Sequence, residues 1–539
     1  MNRTMAPLAG SSPTRAWLRR LPGWLVLIAA ALLLLRTGLY LTMAAGAVRF
    51  PYQLDYGEGI VWEQLRRIAS GRGYAPIEGF PTIVFHYPPL YHALTGALVR
   101  LTGADALLTG RALSFACTLI TAGLVARIAA LLAPREVARW TVWSGSGMAA
   151  LITLGMLPTS QWSVLMRVDM LCMALTFGGL LCGMLALTRP RAVYLAALLF
   201  VAAVYTKQTA LAAPAAVFGV LLITRPRTAL AGIAATIALG LAALAALTVQ
   251  TDGGFLRHIV LYNINRVDLT SLRGIPQNIV WHFGFVLAAV AGALGLFNRL
   301  RESRLRLRAP SWRAHLAAAP DDARAAVALL HLALATLMLG MKAKSGAADN
   351  YLIEWDCLLA LCGGLALTDL LARSFGSPRS GGLPGLQGLL VPGALVSQLM
   401  MHPVPDIWPE VALRAHTPEA ARLVAMIKAA PRPVISDDMV AVLRAGKPVL
   451  IEPAIVTELA AKGVWDESPF VAQLRARRFA FVVTTGLPGS MDFDNRHSPA
   501  VTAALAEAYP VRIDAGSNYL NFPAGPLPDY VRMQERAAR

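Results

Sequence analysis

Apolar runs of about 20 residues, the length of helix that crosses about 30 Å of hydrocarbon, recur along this chain and are separated by short segments rich in arginine. Inside lipid each crossing has to satisfy its own backbone polar groups, so the crossings are expected to be helices. Composition points the same way. Of 539 residues, 56% are hydrophobic and only 15% charged, against about 25% charged in an ordinary soluble protein. A formal net charge of +18 on a soluble domain would suggest nucleic acid. Here the arginines lie between apolar runs, where they read as topology signals, and no nucleic-acid partner is expected. Cys117, Cys172, Cys182, Cys357 and Cys362 all fall within apolar runs without a CxxC pair, so they read as small buried hydrophobes.

The arginines also set the orientation. A polar stretch 1–20 ending in Arg15, Arg19 and Arg20 precedes a run from Trp24 to about Ala47. That run exceeds a signal-peptide core of about 7–15 residues, so it is expected to be an uncleaved first helix with its N-terminus in the cytoplasm. Residues 48–108 mix charge, aromatics, Gly and Pro. Glu58 to Ala69 and Pro89 to Leu101 read as short helices at the outer interface. Further crossings are then expected near 110–132, 139–157, 169–187, 192–206, 209–223, 229–250, 278–298, 323–341, 351–372 and 384–401, about eleven in all. In this register Arg127/Arg135/Arg139, Arg189/Arg191, Arg225/Arg227 and Arg373/Arg379 share one side with the segment 299–313, which holds six Arg against one Glu. The other side has far less positive charge, as the positive-inside rule demands.

The predicted fold is therefore an all-α polytopic membrane bundle over 21–402, with outer loops 48–108 and 251–277. A Pro-rich linker over 403–418 and a small extracytoplasmic α/β domain over 419–539 follow. In that domain Pro433 to Ser436, Pro448 to Glu452 and Phe479 to Thr485 read as strands alternating with helices, which implies a parallel sheet. It contains no GxGxxG or P-loop.

The register places four polar constellations at the outer ends of the helices. Asp55 and Glu58, three apart, share a helix face if a helix starts near Asp55; the same spacing is that of a capping box. Arg167 and Asp169 open the fourth crossing, as a site or as a local ion pair and cap. Lys207 and Gln208 lie between two short crossings, where the lysine either snorkels to the interface or faces a cavity. Asp349, Asn350 and Tyr351 precede Glu354 and Asp356, carboxylates inside an apolar helix that require a polar cavity or a cation, for which Arg36 is a candidate. Loop 251–277, carrying Arg257, His258, Tyr262, Asn263, Asn265 and Arg266, is long enough to cover a site, or simply packs on the bundle. His86, His92 and His258 are too scattered for zinc.

An acidic motif at Asp55 in the first outer loop is followed by His-Tyr-Pro-Pro-Leu-Tyr (His86 to Tyr91) and Gly-Arg-Ala-Leu-Ser (Gly110 to Ser114). With Tyr-Thr-Lys-Gln (Tyr205 to Gln208), Arg-Val-Asp (Arg167 to Asp169) and Asp-Asn-Tyr (Asp349 to Tyr351), these resemble the GT-C glycosyltransferases. The nearest branch is that of protein O-mannosyltransferases and lipid A aminoarabinose transferases, and the likeness runs over roughly 20–400. Where the mannosyltransferases carry adjacent Asp and Glu, Tyr56 and Gly57 intervene here. The resemblance implies an inner-membrane enzyme that takes a sugar from a polyprenyl-phosphate carrier and passes it, with inversion, to an extracytoplasmic glycan, lipid or protein. Asp55 is the expected general base. Lys207, Arg167 and Tyr351 are expected at the donor phosphate, and Glu58, His86, Asp169, Gln208, Asp349, Asn350 and Glu354 at substrate. The acidic groups allow a divalent ion, although no spacing demands one and no cofactor is expected. The rival reading is a transporter or lipid-carrier flippase, which would favour internal repeats and helices broken at mid-membrane; the sequence has no visible repeat.

Overall fold

The computed structural model describes residues 13–376 and 386–538; the start of the expected cytoplasmic N-terminus and Arg379 lie outside them. In chain order the first part runs α1 (Pro13–Arg49), α2 (Tyr56–Ala69), α3 (Leu90–Thr102), α4 (Ala106–Leu132), α5 (Arg139–Gly155), α6 (Leu157–Trp162), α7 (Asp169–Ala186), α8 (Ala192–Val204), α9 (Ala212–Thr224) and α10 (Pro226–Gln250). There follow α11 (Gly254–Leu256), α12 (Gly274–Trp281), α13 (Phe283–Arg306), α14 (Trp312–Ala318), α15 (Pro320–Met338), α16 (Ile353–Phe375), α17 (Leu386–Met401) and α18 (Glu410–Ala429).

Each expected crossing coincides with one of these helices. Seven are long and apolar enough to cross a membrane; α5, α8, α9 and α17 are the shorter members. The protein is a membrane protein by this measure. The helices α8 and α9 have 13 residues each, about 20 Å of rise, short of the hydrocarbon thickness. The polar turn between them, which carries Lys207, is thereby drawn into the bundle.

The central helix is α16, which packs on α1, α4, α5, α13 and α15 and is buried along most of its length. At the other extreme α10 buries almost nothing inside the bundle and presents Leu, Ile and Val outward, as a lipid-facing helix does. Close approach depends on small residues, since lipid supplies no hydrophobic drive between helices. A Cβ on Gly292 of α13 would lie 1.8 Å from the Cys362 carbonyl oxygen of α16, and one on Gly145 of α5 would lie 1.9 Å from Thr368 Oγ1.

The C-terminal region holds α19 (Met439–Arg444), α20 (Pro453–Ala461), further short helices and a sheet of β1 (Ile435–Ser436), β2 (Val482–Thr484), β3 (Val511–Ala515) and β4 (Asn518–Phe522), in the order β1-β2-β4-β3. Only β1 and β2 are parallel; β4 is antiparallel to β2 and β3. The parallel sheet expected from sequence is therefore a mixed one. Segment 448–452 makes a single bridge, Ile451 to Thr82, and the hairpin β3–β4 turns at Gly516, whose φ of 72° suits the first position of a tight two-residue turn. Much of the expected linker is the helix α18.

This region is not a separate bead. Val84 and Phe85, adjacent in an extended segment, point to opposite sides. Val84 joins Ile435, Ile451 and Phe470 in one core, and Phe85 joins Phe481, Leu520 and Phe522 in another. Trp465 donates to the Ile77 carbonyl at 3.1 Å, and Arg444 pairs with Asp105.

Substituting Gly292 with Val should force α13 away from α16 and cost about 1–3 kcal/mol. Gly147→Ala, at an α5 position with nothing within 4 Å of the new Cβ, should leave stability unchanged or slightly raised. Thermal unfolding in detergent, followed by intrinsic fluorescence, separates the two outcomes.

Candidate active site

The chain leaves α1 at Arg49 and turns immediately into α2, and a buried ion pair fixes the turn. Arg111 of α4 reaches Glu58 with Nε at 2.7 Å and Nη2 at 2.6 Å, and spends its remaining donors on the carbonyls of Ala47, Phe50 and Tyr52. Both side chains are wholly buried. The Glu58 carboxylate also accepts from the amides of Leu54, Asp55 and Met166. Glu58 was expected at substrate. With its oxygens consumed and no face on the cavity, it is instead the clamp that shapes the first outer loop.

Asp55 is the N-cap of α2, and the capping box is complete. Its Oδ1 accepts from the Gly57 amide at 3.0 Å and from Arg167 Nη1 at 2.9 Å. The side chain remains partly accessible, and its second oxygen carries no partner among the described residues. The cap and the ion pair thus occur together. Burial raises the Asp55 pKa above the ordinary aspartate value; Arg167 pulls it down and Glu58 pushes it up.

Next to Asp55, which is not itself on the wall but adjoins Tyr56, Gly57 and Arg167 that are, lies a cavity of about 500 Å³ against the C-terminal region. Gly57, His86, Arg167, Lys207, Gln208 and Tyr351 are on its wall, as is Asn350. Lys207 Nζ is 2.7 Å from Asp169 Oδ1, which also accepts from Asn350 at 2.8 Å. Asp169 itself is buried behind the wall, so it orients Lys207 and Asn350 and is not a contact residue. Tyr351 is held between two ammonium groups, Lys207 at 4.6 Å and Lys344 at 5.3 Å from its ring centre, distances at which cation–π attraction acts. His86 is held neutral, its pKa pushed down to about 4 by burial and then by Lys344, and its carbonyl accepts from Gln208 at 2.8 Å.

Two further expectations are corrected. Asp349 pairs with Lys342 at 2.9 Å and Glu354 with His331 at 2.8 Å, and neither lines the cavity. Asp356 is buried and accepts from Asn278, so Arg36 partners neither carboxylate; its Nε and Nη1 find no hydrogen bond among the described residues. In the long loop the roles divide. His258 accepts from the Phe85 amide, contacts the Ala75 carbonyl at 2.9 Å and packs among Tyr74, Phe85 and Tyr262, so it belongs to a core. Asn263, Asn265 and Arg266 reach the cavity. The loop is fastened there: Arg266 and Ser345 exchange backbone and side-chain bonds, and Glu458 of α20 accepts from Asn265 at 3.1 Å and from Ser345.

Sequence reasoning missed Lys344, Tyr87 and the C-terminal contributions Glu452, Glu458 and Arg496. Tyr87 stands inside the quoted His-Tyr-Pro-Pro stretch. Lys344 follows Lys342 in a segment whose overall positive charge is low. Among the described residues no three His, Cys, Asp or Glu are grouped to hold a metal ion.

No family model and no curated protein sequence matches the chain. Solved structures do, and two of them are the following. One is ArnT from Cupriavidus metallidurans bound to undecaprenyl phosphate, with a TM-score of 0.55 at 16% identity, covering 94% of this chain and 99% of that one. The other is the same transferase in the apo state, with a TM-score of 0.54 at 14% identity and the same coverage. The fold is GT-C. The likeness extends beyond 20–400, because 94% coverage takes in most of the C-terminal region. The GT-C fold therefore accounts for the outer loops, the bundle and the small sheet together.

Removing one member of the buried Glu58–Arg111 pair strands the other, at a cost of about 3–5 kcal/mol. Arg111→Ala should therefore unfold at a markedly lower temperature, and the double variant Glu58→Gln, Arg111→Gln should lose less than the sum of the single changes. A double-mutant cycle on thermal midpoints reads the coupling; strict additivity would contradict the clamp.

Proposed function

We propose that this chain is an inverting glycosyltransferase of the cell membrane, with Asp55 as general base and a polyprenyl-phosphate-linked sugar as donor. The observation that carries the reading is the cavity in which Arg167, Lys207, Lys344 and Tyr351 converge within one ion pair of Asp55. The fold around it is shared with a transferase crystallised with undecaprenyl phosphate. The distribution of arginines argues that the cavity opens away from the cytoplasm. The acceptor is an extracytoplasmic glycan, lipid or protein.

In the reaction an acceptor hydroxyl attacks the anomeric carbon from the face opposite the phosphate. Its proton passes to the free oxygen of Asp55 as the new C–O bond forms. The bond from the anomeric carbon to the phosphate oxygen breaks, its electron pair stays with that oxygen, and polyprenyl phosphate leaves with one more negative charge than it had in the donor. Fixed cations in a cavity screened from bulk water stabilise that charge. Arg167 is tied to Asp55 and Lys207 to Asp169, whereas Lys344 and Arg266 form no ion pair among the described residues, so these two bring net positive charge to the wall. Arg167 also couples the two halves of the site: its bond to Asp55 holds the base, and its Nε has no partner among the described residues. Lys207, Tyr351 and Asn350 then form the phosphate end, with His86 and Gln208 nearer the sugar.

Replacing Asp55 with Asn should lower transfer about 10²–10⁴-fold while leaving undecaprenyl phosphate bound. Lys344→Gln and Lys207→Gln should each weaken binding of that lipid by about tenfold to a hundredfold. Purified protein in nanodiscs, offered a panel of polyprenyl-phosphate sugars, supplies both readouts; wild-type protein that binds no lipid phosphate would refute the reading.

The base must be ionised to accept a proton. With Asp55 raised by burial, kcat/KM should fall as pH drops through a value above the usual aspartate pKa of about 4. The Asp55→Asn variant should lose that acid limb from its residual rate.

A further inference from the structure

The carboxylates on the cavity wall are not shared evenly. The outer-loop side brings Arg167, Lys207, Arg266 and Lys344, while Glu452, Glu458, Asp492 and Asp494 all come from the C-terminal region. Of these Glu452 stands apart. Glu458 is spent on Asn265 and Ser345, and Asp492 and Asp494 lie near the open rim. Glu452 is 94% buried, at 6% exposure, and its carboxyl makes no hydrogen bond to any described residue.

Its position makes this more telling. Glu452 is the N-cap residue of α20, where a side-chain oxygen ordinarily accepts from the first-turn amides, yet it makes no cap bond. The first helical residue is Pro453, which has no amide to offer. The next amide, of Ala454, is taken by the Tyr56 hydroxyl at 3.2 Å. Tyr56 is in turn stacked under Arg496, 4.2 Å from its ring centre. A residue of the first outer loop thus does the capping, and the glutamate is released toward the cavity. A carboxyl facing the cavity without a protein partner is free to bond a ligand there.

We propose that Glu452 is a substrate-binding residue contributed by the C-terminal region, and that its carboxyl hydrogen-bonds neutral hydroxyls of a sugar lying between the phosphate end and α20. The inference rests on the glycosyltransferase reading and deepens it. Burial pushes the Glu452 carboxyl up to about 8, against the pull of Arg167 and Arg496, so at neutral pH it is largely protonated and both donates and accepts. That suits hydroxyls, which do the same, and does not suit the phosphate, which lies among the lysines. The hydroxyls belong either to the transferred sugar or to a glycan acceptor; the chemistry is the same and the experiment separates them.

Glu452→Ala and Glu452→Gln are compared with wild type for binding of undecaprenyl phosphate, binding of the sugar-loaded carrier, and KM for acceptor. The expected result is unchanged binding of the bare lipid phosphate with about a tenfold loss for the loaded carrier, partly rescued in the Gln variant. Unchanged binding of both lipids with a raised acceptor KM supports the same contact made to the acceptor. Unaltered loaded-carrier affinity and acceptor KM would overturn the proposal, as would an equal loss for bare and loaded lipid. If wild type binds neither lipid, the glycosyltransferase reading itself fails, a result separate from either of these.

Discussion

The site hangs on one buried ion pair. As the chain leaves the lipid at Arg49 it must reverse within a few residues, and Arg111 gathers the three carbonyls of that reversal with one guanidinium while pairing with Glu58. Glu58 gathers the neighbouring amides in return. A buried charge pair is stable only when its remaining valences are filled, and here they are. Because Glu58 is also the third residue of α2, the clamp dictates where that helix begins. Asp55 is therefore set at its N-cap, three residues back. The amide of Met166 on the same carboxylate ties in the segment leading to Arg167. One fixed geometry thus delivers both an acid and a cation to the cavity edge.

Around that edge the charges are arranged in tiers. Lys207 is held from behind by Asp169, which Asn350 braces in turn, and Tyr351 lies between the ammonium and Lys344. Such pre-ordering is what an electrostatic site requires, since cations already in place need no reorganisation when charge develops. The carboxylates that would cancel this field are kept either behind the wall, as with Asp169, or on the C-terminal side.

The bundle was legible in the sequence because its rule is simple: hydrocarbon thickness fixes the length of a run, and arginine fixes its side. The four polar constellations were legible as residues to watch, but not in their roles. Asp55 and Glu58 look alike on paper, and only the buried arginine of a later helix assigns one to the loop's architecture and the other to the cavity edge. Asp349 draws attention by its Asp-Asn-Tyr setting at the end of a crossing and Glu354 by its expense in an apolar helix, yet each has a local partner, Lys342 or His331, that position in the chain does not advertise. The hairpin β3–β4 escaped notice because Arg512 and Asp514 give its first strand a polar face that reads as a loop. Glu452 and Arg496 are not legible because composition alone reads the C-terminal region as a separate domain, whereas Tyr56 and Phe85 weld it to segment 48–108.

That weld has a bearing on biogenesis. The Ile77 carbonyl waits for Trp465, 388 residues further along the chain, and Phe85 waits for Phe522. During synthesis Ile77, Val84 and Phe85 emerge without the C-terminal residues that cover them and stay so until nearly the whole polypeptide has been made. Contacts between such distant segments form slowly, and surface left bare meanwhile is prone to stray association. The cavity is therefore the last part of the molecule to come into being, after every helix has been threaded, and a chain released early would be inserted in the bilayer with no chamber to work in.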